Sequence, residues 1–261
     1  MIETDHIYHC DCIEGMRHIA DGSIDAVIAD LPYGVLNKRN HSATWDKKIP
    51  LEPLWEQYRR IIKPHAPIIL FGQGLFSAEL MMSQPRLWKY NLVWRKDRPS
   101  GHLNANRMPL RQHEDILVFY QRLPIYHPQM TPCHPEERNH GRGSVRNTTN
   151  RCYGNMKVTP TRIADDKYPI SILSIPKEHK TGTYYHPTQK PVALIEYLIR
   201  TYTNEGALIL DNCIGSGTTA VAAIHTGRHY IGFEIEKEFY DIAQQRIAHE
   251  LEVRDNTTPY I

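Results

Sequence analysis

The sequence predicts an α/β fold with a mostly parallel central sheet that helices cover on both faces. Three short apolar runs, at residues 23–30, 207–211 and 230–234, each close on an acidic residue. Nearly continuous apolar runs of this length are typical of parallel strands buried on both faces. Segments with helical spacing alternate with such runs. With 261 residues, 41% of them hydrophobic, the chain can bury the core of one domain, with or without an insertion.

In chain order, the run SIDAVIAD at 23–30 is the first predicted strand, with Asp30 at its carboxyl end. The segment LEPLWEQYRRIIK at 51–63 has apolar residues at helical spacing, and Pro64 ends that helix. Further strands are predicted at 66–71, 91–94 and 115–120.

The middle of the chain, residues 124–182, lacks periodicity and is rich in Pro, Asn, Thr, His and Arg. This composition predicts an insertion of loops and short elements. Regular structure resumes at Pro191, the predicted first residue of a helix that continues over 192–202. The remaining predictions are a strand at 207–211, a helix at 218–225, a strand at 230–234 and a helix at 237–250.

Composition and cysteine usage indicate a cytoplasmic globular protein. The sequence has no apolar run of about 18 residues, and its first ten residues, MIETDHIYHC, lack the apolar stretch of a signal peptide. The five cysteines include no Cys-x-x-Cys pair, so free thiols are expected rather than a disulfide framework or a zinc site. The fifteen histidines show no metal-ligand spacing, and no metal is expected.

Positive charge is concentrated in the middle of the chain. Between Arg95 and Lys180 there are 15 Lys or Arg and 8 Asp or Glu, whereas the whole chain has a net charge of +2. The remainder of the chain is therefore acidic. A basic segment in an acidic protein is typical of polyanion binding, because phosphate neutralisation supplies most of the sequence-independent affinity for nucleic acid. Charge alone leaves open the alternative of a solvated, loop-rich face.

A glycine-rich turn, GSGTTA at 215–220, follows the predicted strand at 207–211 and begins the next helix. Glycines let the backbone approach a ligand closely, and Glu234, at the end of the following strand, can accept hydrogen bonds from both ribose hydroxyls. The pattern Gly-x-Gly-x-x-Ala fits a nicotinamide dinucleotide as well as S-adenosylmethionine. This turn alone leaves both cofactors open.

A second motif, Asp30-Leu31-Pro32-Tyr33, favours S-adenosylmethionine. Only 44 residues follow Gly217, too few to complete a doubly wound sheet, so the missing strands must lie near the N-terminus, where this motif occurs. The exocyclic amine of adenine or cytosine is a poor nucleophile because its lone pair is delocalised into the ring. The Asp30 carboxylate and the Leu31 carbonyl can accept hydrogen bonds from such an amine. Tyr33 can stack on a base rotated out of a duplex.

In this order the motifs resemble those of the permuted, beta-type amino-directed DNA methyltransferases, which methylate adenine N6 or cytosine N4. The likeness spans residues 10–247 and rests on DCIEGMRHIADGSIDAVIADLPYG, HEDILVFY, HPTQKPVALIEYLI and DNCIGSGTTAVAA followed by IGFE. It implies a Rossmann-like methyltransferase fold with circularly permuted motif order, S-adenosylmethionine as cofactor and double-stranded DNA as substrate. The catalytic half would occupy residues 1–120, a target-recognition insertion 121–183 and the cofactor-binding half 184–261.

The resemblance also implies site residues. The catalytic residues would be Asp30, Leu31, Pro32 and Tyr33. The cofactor would be held by Asp11, Cys12, Asp30, Lys190, Asp211, Asn212, Cys213, Gly215, Gly217, Thr218, Thr219 and Glu234. Leu31 stands where the family usually has a proline; because the acceptor there is a backbone carbonyl, the chemistry is expected to survive, and the stiffness of the loop is in question. Trp45 and Asp46 follow the loop and are interpreted as ordering it over the base.

Structural alternatives exist for several of these residues. Asp30 could simply cap the following turn. Tyr33 could pack in the core, and Asp211 could order the glycine-rich loop without touching a ligand. His113 and Glu114 suggest acid–base catalysis, but the resemblance places them on a structural strand.

Within the family that the sequence resembles, aspartate rather than serine at the position of Asp30 favours adenine N6 as the target, with cytosine N4 as the alternative. A non-catalytic DNA-binding or regulatory protein that keeps the fold is the alternative from another class, and RNA is an alternative substrate. A homodimer and a cognate restriction endonuclease are partners that the sequence leaves open, and no membrane association is expected. Arginine suits guanine and asparagine suits adenine, although either residue also contacts phosphate. The candidate DNA-binding residues in the insertion are Arg138, Arg142, Arg146, Asn147, Asn150 and Arg151.

Overall fold

The computed structural model describes residues 2–36, 45–133, 165–178 and 189–257. The chain forms two compact units, one made of Met1–His127 with Ser171–Ile261 and one of Pro128–Ile170. The strands are β1 His6–His9, β2 Ala26–Ala29, β3 Ile68–Gly72, β4 Trp88–Ser100, β5 Arg111–Phe119, β6 Thr131–Pro132, β7 Asp166–Lys167, β8 Ile172–Ser174, β9 Leu208–Asp211 and β10 His229–Glu234. The helices are α1 Cys12–Met16, α2 Leu51–Ile61, α3 Leu75–Ser83, α4 Val192–Tyr202, α5 Thr218–His225 and α6 Lys237–Thr257.

The described part of the first unit contains an eight-stranded sheet in the order β1-β10-β9-β2-β3-β5-β4-β8. The strands from β1 to β3 in this order are parallel neighbours. β5 runs antiparallel to β3 and to β4, and β8 runs parallel to β4. The C-terminal strands β9 and β10 lie between the N-terminal strands β1 and β2. The predicted fold class, a mostly parallel sheet completed by both ends of the chain, is therefore confirmed.

Alternating residues of the central strands enter two separate cores, because successive side chains of a strand point to opposite faces. Ala26 and Ile28 lie in a core with side chains of α4, α5 and α6. Val27 and Ala29 lie in a second core with side chains of α1, α2 and α3. Burial on both faces explains why the sequence of β2 reads as a continuous apolar run.

Several elements differ from the sequence-based expectation. The strands expected at 91–94 and 115–120 are longer and form the antiparallel β4–β5 hairpin, since no crossover helix separates them. Pro191 is not the first helical residue: its extended backbone, with ψ of 137°, makes it the N-cap of α4, which begins at Val192. The elements β1, α1 and α3 had not been predicted.

The second unit contains a short antiparallel pairing of β6 with β7. β8 lies in the segment expected to be irregular, yet it pairs with β4 in the main sheet. No helix in the described residues is long and apolar enough to cross a membrane. The six candidate DNA-binding residues lie outside the described residues: Arg138, Arg142, Arg146, Asn147, Asn150 and Arg151.

Candidate active site

Three acidic strand ends meet at one edge of the sheet. Asp30 directly follows β2, and Asp211 and Glu234 are the last residues of β9 and β10. These strands are parallel neighbours, so their carboxyl ends share an edge, which is where open α/β sheets bind ligands. A cavity of about 420 Å³ opens there, a volume typical of small-molecule sites.

This cavity brings together most of the residues proposed from the sequence. All four residues of the tetrapeptide Asp30-Leu31-Pro32-Tyr33 line it. The other proposed residues that line it are Asp11, Cys12, Lys190, Asp211, Asn212, Cys213, Gly215, Thr218, Thr219 and Glu234.

Gly217 does not line the cavity, although it was expected to. It is the N-cap of α5, with a φ of +83° that favours glycine. A Cβ atom at this position would lie 3.2 Å from that of Ala243 in α6. The glycine therefore serves the tight turn and the close packing of α5 against α6.

The Asp30 carboxylate is held by side chains from distant parts of the sequence. The hydroxyl of Tyr33 donates a hydrogen bond to its Oδ1 at 3.0 Å, and the ammonium group of Lys190 donates to its Oδ2. Lys190 Nζ also lies 3.3 Å from Oε2 of Glu114, whose Oε1 accepts a hydrogen bond from Lys96. Two carboxylates and two ammonium groups thus form one cluster in which the charges balance, as burial of charge requires.

The electrostatics of this cluster follow from burial and pairing. Burial raises the pKa of Asp30; Lys190 opposes this effect and Glu114 adds to it. Burial also acts to raise the pKa of Glu114, but Lys190 and Lys96 outweigh it, and that pKa is lowered. Burial acts to lower the pKa of Lys190, but Asp30 and Glu114 outweigh it, and that pKa is raised. Lys190 therefore holds a positive charge beside the Asp30 carboxylate.

Glu114 is a site residue that sequence reasoning assigned to a structural role only. It lies on β5, as the resemblance implied, but its side chain lines the cavity and contacts Lys190. The sequence contains a feature that indicates this role, because HEDILVFY has two acidic residues near the start of an otherwise apolar strand. A carboxylate that is buried beside a cavity at the ends of parallel strands usually has a charged partner or a functional role.

The loop that carries the tetrapeptide is fixed from both sides of Pro32. The Leu31 side chain is 2% exposed and packs in the core with α1, α2 and α3, so burial anchors the loop that lacks the usual proline. On the other side, the Asp46 carboxylate accepts hydrogen bonds from the backbone N–H groups of Gly34 at 2.8 Å and Leu36 at 2.6 Å. These contacts agree with the interpretation of Asp46 as a residue that orders the loop.

Asp211 and Glu234 hold the glycine-rich turn. Asp211 accepts hydrogen bonds from the Cys213 N–H at 3.0 Å and the Thr219 hydroxyl at 2.5 Å, and burial raises its pKa to about 7. Glu234 accepts from the Gly215 N–H at 2.9 Å, and burial raises its pKa as well. The contacts of Asp211 are those of a residue that orders the loop. Both carboxylates still face a cavity in which a cation or a hydroxyl would satisfy their remaining acceptor capacity.

Another part of the cavity lining comes from the start of α1. Asp11 caps this helix, because its Oδ1 accepts hydrogen bonds from the N–H groups of Ile13 at 2.8 Å and Glu14 at 3.1 Å. Cys12 follows it, and the Asn212 amide donates to the Cys12 sulfur at 3.6 Å. Asn212 thereby joins α1 to the turn after β9, and the two halves of the chain close one wall of the cavity.

A family model described as DNA methylase, of the N6/N4 methyltransferases, matches residues 24–245. The chain belongs to this DNA methylase family. Among its relatives, the type II methyltransferase M.HpaI of Haemophilus parainfluenzae is 27% identical over 92% of this chain and 73% of that protein. The type II methyltransferase M.BglII of Bacillus subtilis is 28% identical over 96% of this chain and 71% of that protein.

Solved structures share the fold of this DNA methylase. The complex of M1.HpyAVI with SAM matches with a TM-score of 0.62 and 23% identity, covering 93% of this chain and 98% of that one. The cytosine-N4-specific PvuII DNA methyltransferase matches with a TM-score of 0.66 and 14% identity, covering 99% and 95%. At these identities the likeness establishes a methyltransferase fold, and family membership leaves the choice between adenine N6 and cytosine N4 open.

Proposed function

We propose that this DNA methylase moves a methyl group from S-adenosylmethionine to the N6 amine of adenine at a specific site in double-stranded DNA. The observation that carries the proposal is the position of the Asp30 carboxylate. It lies on the wall of the carboxyl-edge cavity, in a loop fixed on both sides, with Tyr33 and Lys190 bonded to its two oxygens.

The cavity residues fit S-adenosylmethionine. When bound, this cofactor supplies an electrophilic methyl group on a positively charged sulfur. Glu234 is placed to accept hydrogen bonds from ribose hydroxyls, and Asp211, with its raised pKa, would be stabilised in its ionised form by a nearby cation. Asp11 and Cys12 line the wall proposed for the adenine ring, and Lys190 is proposed for the methionine part.

The chain's own residues prepare the amine for attack. The Asp30 carboxylate and the Leu31 carbonyl accept its two N–H groups, which draws the nitrogen lone pair out of conjugation with the ring. Tyr33 presents its ring to the face of the extruded base, and its hydroxyl bond to Asp30 fixes the ring orientation. As the N–CH₃ bond forms, the bond between that methyl group and the cofactor sulfur would break and S-adenosylhomocysteine would leave, and the nitrogen must then lose a proton. Asp30, whose pKa is raised by burial, is placed to accept it.

We favour adenine over cytosine because, in the family that the sequence resembles, aspartate rather than serine at the first position of the tetrapeptide is associated with adenine. The test is to methylate DNA with the purified protein, digest it and measure the modified nucleosides, with Asp30→Ala as the matched control. N6-methyladenine from the wild type and none from the variant is the expected result. Finding only N4-methylcytosine would overturn the adenine assignment and leave the methylase assignment intact.

A non-catalytic DNA-binding protein with the same fold is the competing function, because Leu31 departs from the usual proline. The burial of Leu31 argues against it, since packing supplies the stiffness that proline would give. Binding and methyl transfer are measured on the same duplex. A wild-type protein that binds the duplex and transfers no labelled methyl group would support the competing function. Competition between duplex DNA and RNA tests the RNA alternative.

The relatives M.HpaI and M.BglII are type II methyltransferases, which supports a restriction–modification setting and a cognate endonuclease as a partner. A homodimer is a further proposal, tested by sedimentation of the purified chain. The target-recognition insertion is proposed to span 121–183, between catalytic and cofactor-binding halves at 1–120 and 184–261. Sequencing methylated DNA at single-base resolution gives the recognition site. Alanine variants of the arginines and asparagines proposed in the insertion test which of them read bases.

A further inference from the structure

The β4–β5 hairpin extends past the edge of the sheet at which the cavity opens. β5 runs antiparallel to β3, with Asp115 opposite Gly72, the last residue of β3. The part of β5 that precedes Asp115 therefore continues beyond the carboxyl end of β3. Glu114 lines the cavity, and Arg111 lies three residues further out, roughly 10 Å along the strand. The hairpin tip, residues 101–110, therefore lies further out along the hairpin than Glu114, which lines the cavity.

This tip is structured. A short 3₁₀ helix, His102–Asn104, begins after Gly101, whose φ of +92° allows the tight turn. The base of the tip is tied to the loop after β3: Arg111 donates a hydrogen bond to the Gln73 side chain at 3.0 Å, and Gln73 donates to the His113 carbonyl at 2.9 Å. The hairpin is thus attached to the same sheet edge that positions Asp30.

The surface of the tip combines an apolar side chain with positive charge. Leu103 is 100% exposed and Met108 is 55% exposed. Between Arg95 and His113 the hairpin carries five Lys or Arg and one acidic residue, and Arg98, Arg107 and Arg111 are exposed. Exposed arginines in the same hairpin as a fully exposed apolar residue match a nucleic-acid duplex, because arginine binds phosphates and apolar side chains can enter between base steps.

We propose that the hairpin tip contacts duplex DNA beside the extruded base and that Leu103 enters the base stack there. This inference rests on the proposed function, because it requires a duplex substrate whose base leaves the helix. Extrusion costs free energy, because the stacking and pairing of the target base are lost. A side chain that fills the vacated space slows the return of the base. The exposed arginines hold the hairpin on the flanking phosphates.

The test compares Leu103→Ala with the wild type in single-turnover methyl transfer on two duplexes, one fully paired and one with a mismatch opposite the target base. The variant should lose about tenfold or more in rate on the paired duplex. The loss should shrink to within about threefold on the mismatched duplex, because a mismatched base costs less to extrude. A fluorescent base analogue at the target position should report less extrusion. Met82→Ala is the control, since Met82 is 74% exposed on α3 and lies outside both the hairpin and the cavity lining.

The outcomes separate this inference from the proposed function. A wild type that methylates neither duplex overturns the proposed function. A wild type that methylates both, with Leu103→Ala unchanged or equally slowed on both, overturns the role of Leu103 in extrusion. A variant that alters only the sedimentation of the protein would show that the tip binds a second copy of the chain, and would likewise overturn the inference. Arg107→Ala should reduce the salt dependence of DNA binding by about one phosphate contact, and an unchanged slope contradicts its proposed role.

Discussion

Asp211 provides a prediction whose size can be worked out from the structure. It is buried at the end of β9, and burial raises its pKa from 3.8 to about 7. Because the folded-state pKa lies above the unfolded-state value, the folded protein binds this proton more tightly. Ionisation of Asp211 therefore opposes folding. Stability from this group is fully present below pH 3.8 and is lost as the pH rises through about 7.

Raising the pH from 5 to 8 should cost roughly 2 to 3 kcal/mol of folding free energy through this carboxyl alone. Asp211→Asn removes the titration but keeps an oxygen that can accept from the Cys213 N–H. The other titrating groups are common to both proteins and cancel in the difference. The free energy of unfolding of Asp211→Asn, relative to the wild type, should therefore increase by that amount over this range. For a chain of this size, the difference in Tm between Asp211→Asn and the wild type should change by roughly 5 to 10 °C over the same pH range.

The assay is urea or thermal unfolding of both proteins, without cofactor, at several pH values between 5 and 8. Asp255→Asn serves as the control, since the Asp255 side chain is 69% exposed, and its difference from the wild type should stay flat. A difference for Asp211→Asn that is independent of pH, or that grows toward acid, would refute the reasoning.

Three further predictions concern the charged cluster around Asp30 and the loop that carries this residue. Glu114→Gln removes a negative charge that acts to raise the pKa of Asp30, so the acid limb of the kcat–pH profile should move to lower pH while transfer persists at neutral pH; an unmoved limb contradicts this. Leu31→Ala should lower the free energy of unfolding by roughly 2 to 5 kcal/mol, measured in urea, whereas Leu31→Pro should retain methyl transfer. A Leu31→Ala loss below about 1 kcal/mol would show that the side chain does not anchor the loop. Asp46→Ala frees two backbone N–H groups of the loop and should slow single-turnover transfer about tenfold or more, while calorimetry shows little change in cofactor affinity. Equal losses in transfer rate and in cofactor affinity would contradict this role of Asp46 in ordering the loop.

The fold was predictable wherever a strand is buried on both faces. The apolar runs that form β2, β9 and β10 can be recognised in the sequence. The acidic residues at their ends indicate the sheet edge at which the cavity lies. β1 was missed because Ile7 is its only fully buried residue in the sequence HIYH. α3 was missed because exposed Leu75 and Met82 blur its apolar face. The sequence of a strand does not specify whether it runs parallel or antiparallel to its neighbour. The antiparallel β4–β5 hairpin is therefore recognised only from the strand pairing in the structure.

Most of the residues that line the cavity could be named from the sequence, but their contacts could not. The sequence places Lys190 on the cofactor side, whereas its ammonium group bonds to Asp30, 160 positions away. A contact of that kind depends on the register of the sheet, which spacing in the sequence does not specify. Glu114 was assigned to structure for the same reason, because its partners Lys96 and Lys190 come from separate elements.

Methyl transfer is expected to depend on the Asp30 carboxylate, and Asp30→Asn tests this most directly. The variant keeps the size of the side chain and an oxygen that can accept from Tyr33, but it loses the charge that faces the amine. The measurement is single-turnover transfer of a labelled methyl group to duplex DNA at saturating S-adenosylmethionine, with DNA binding measured on the same samples. The rate should fall by about 100-fold or more while the duplex remains bound. A rate within about threefold of the wild type would contradict the assignment of Asp30.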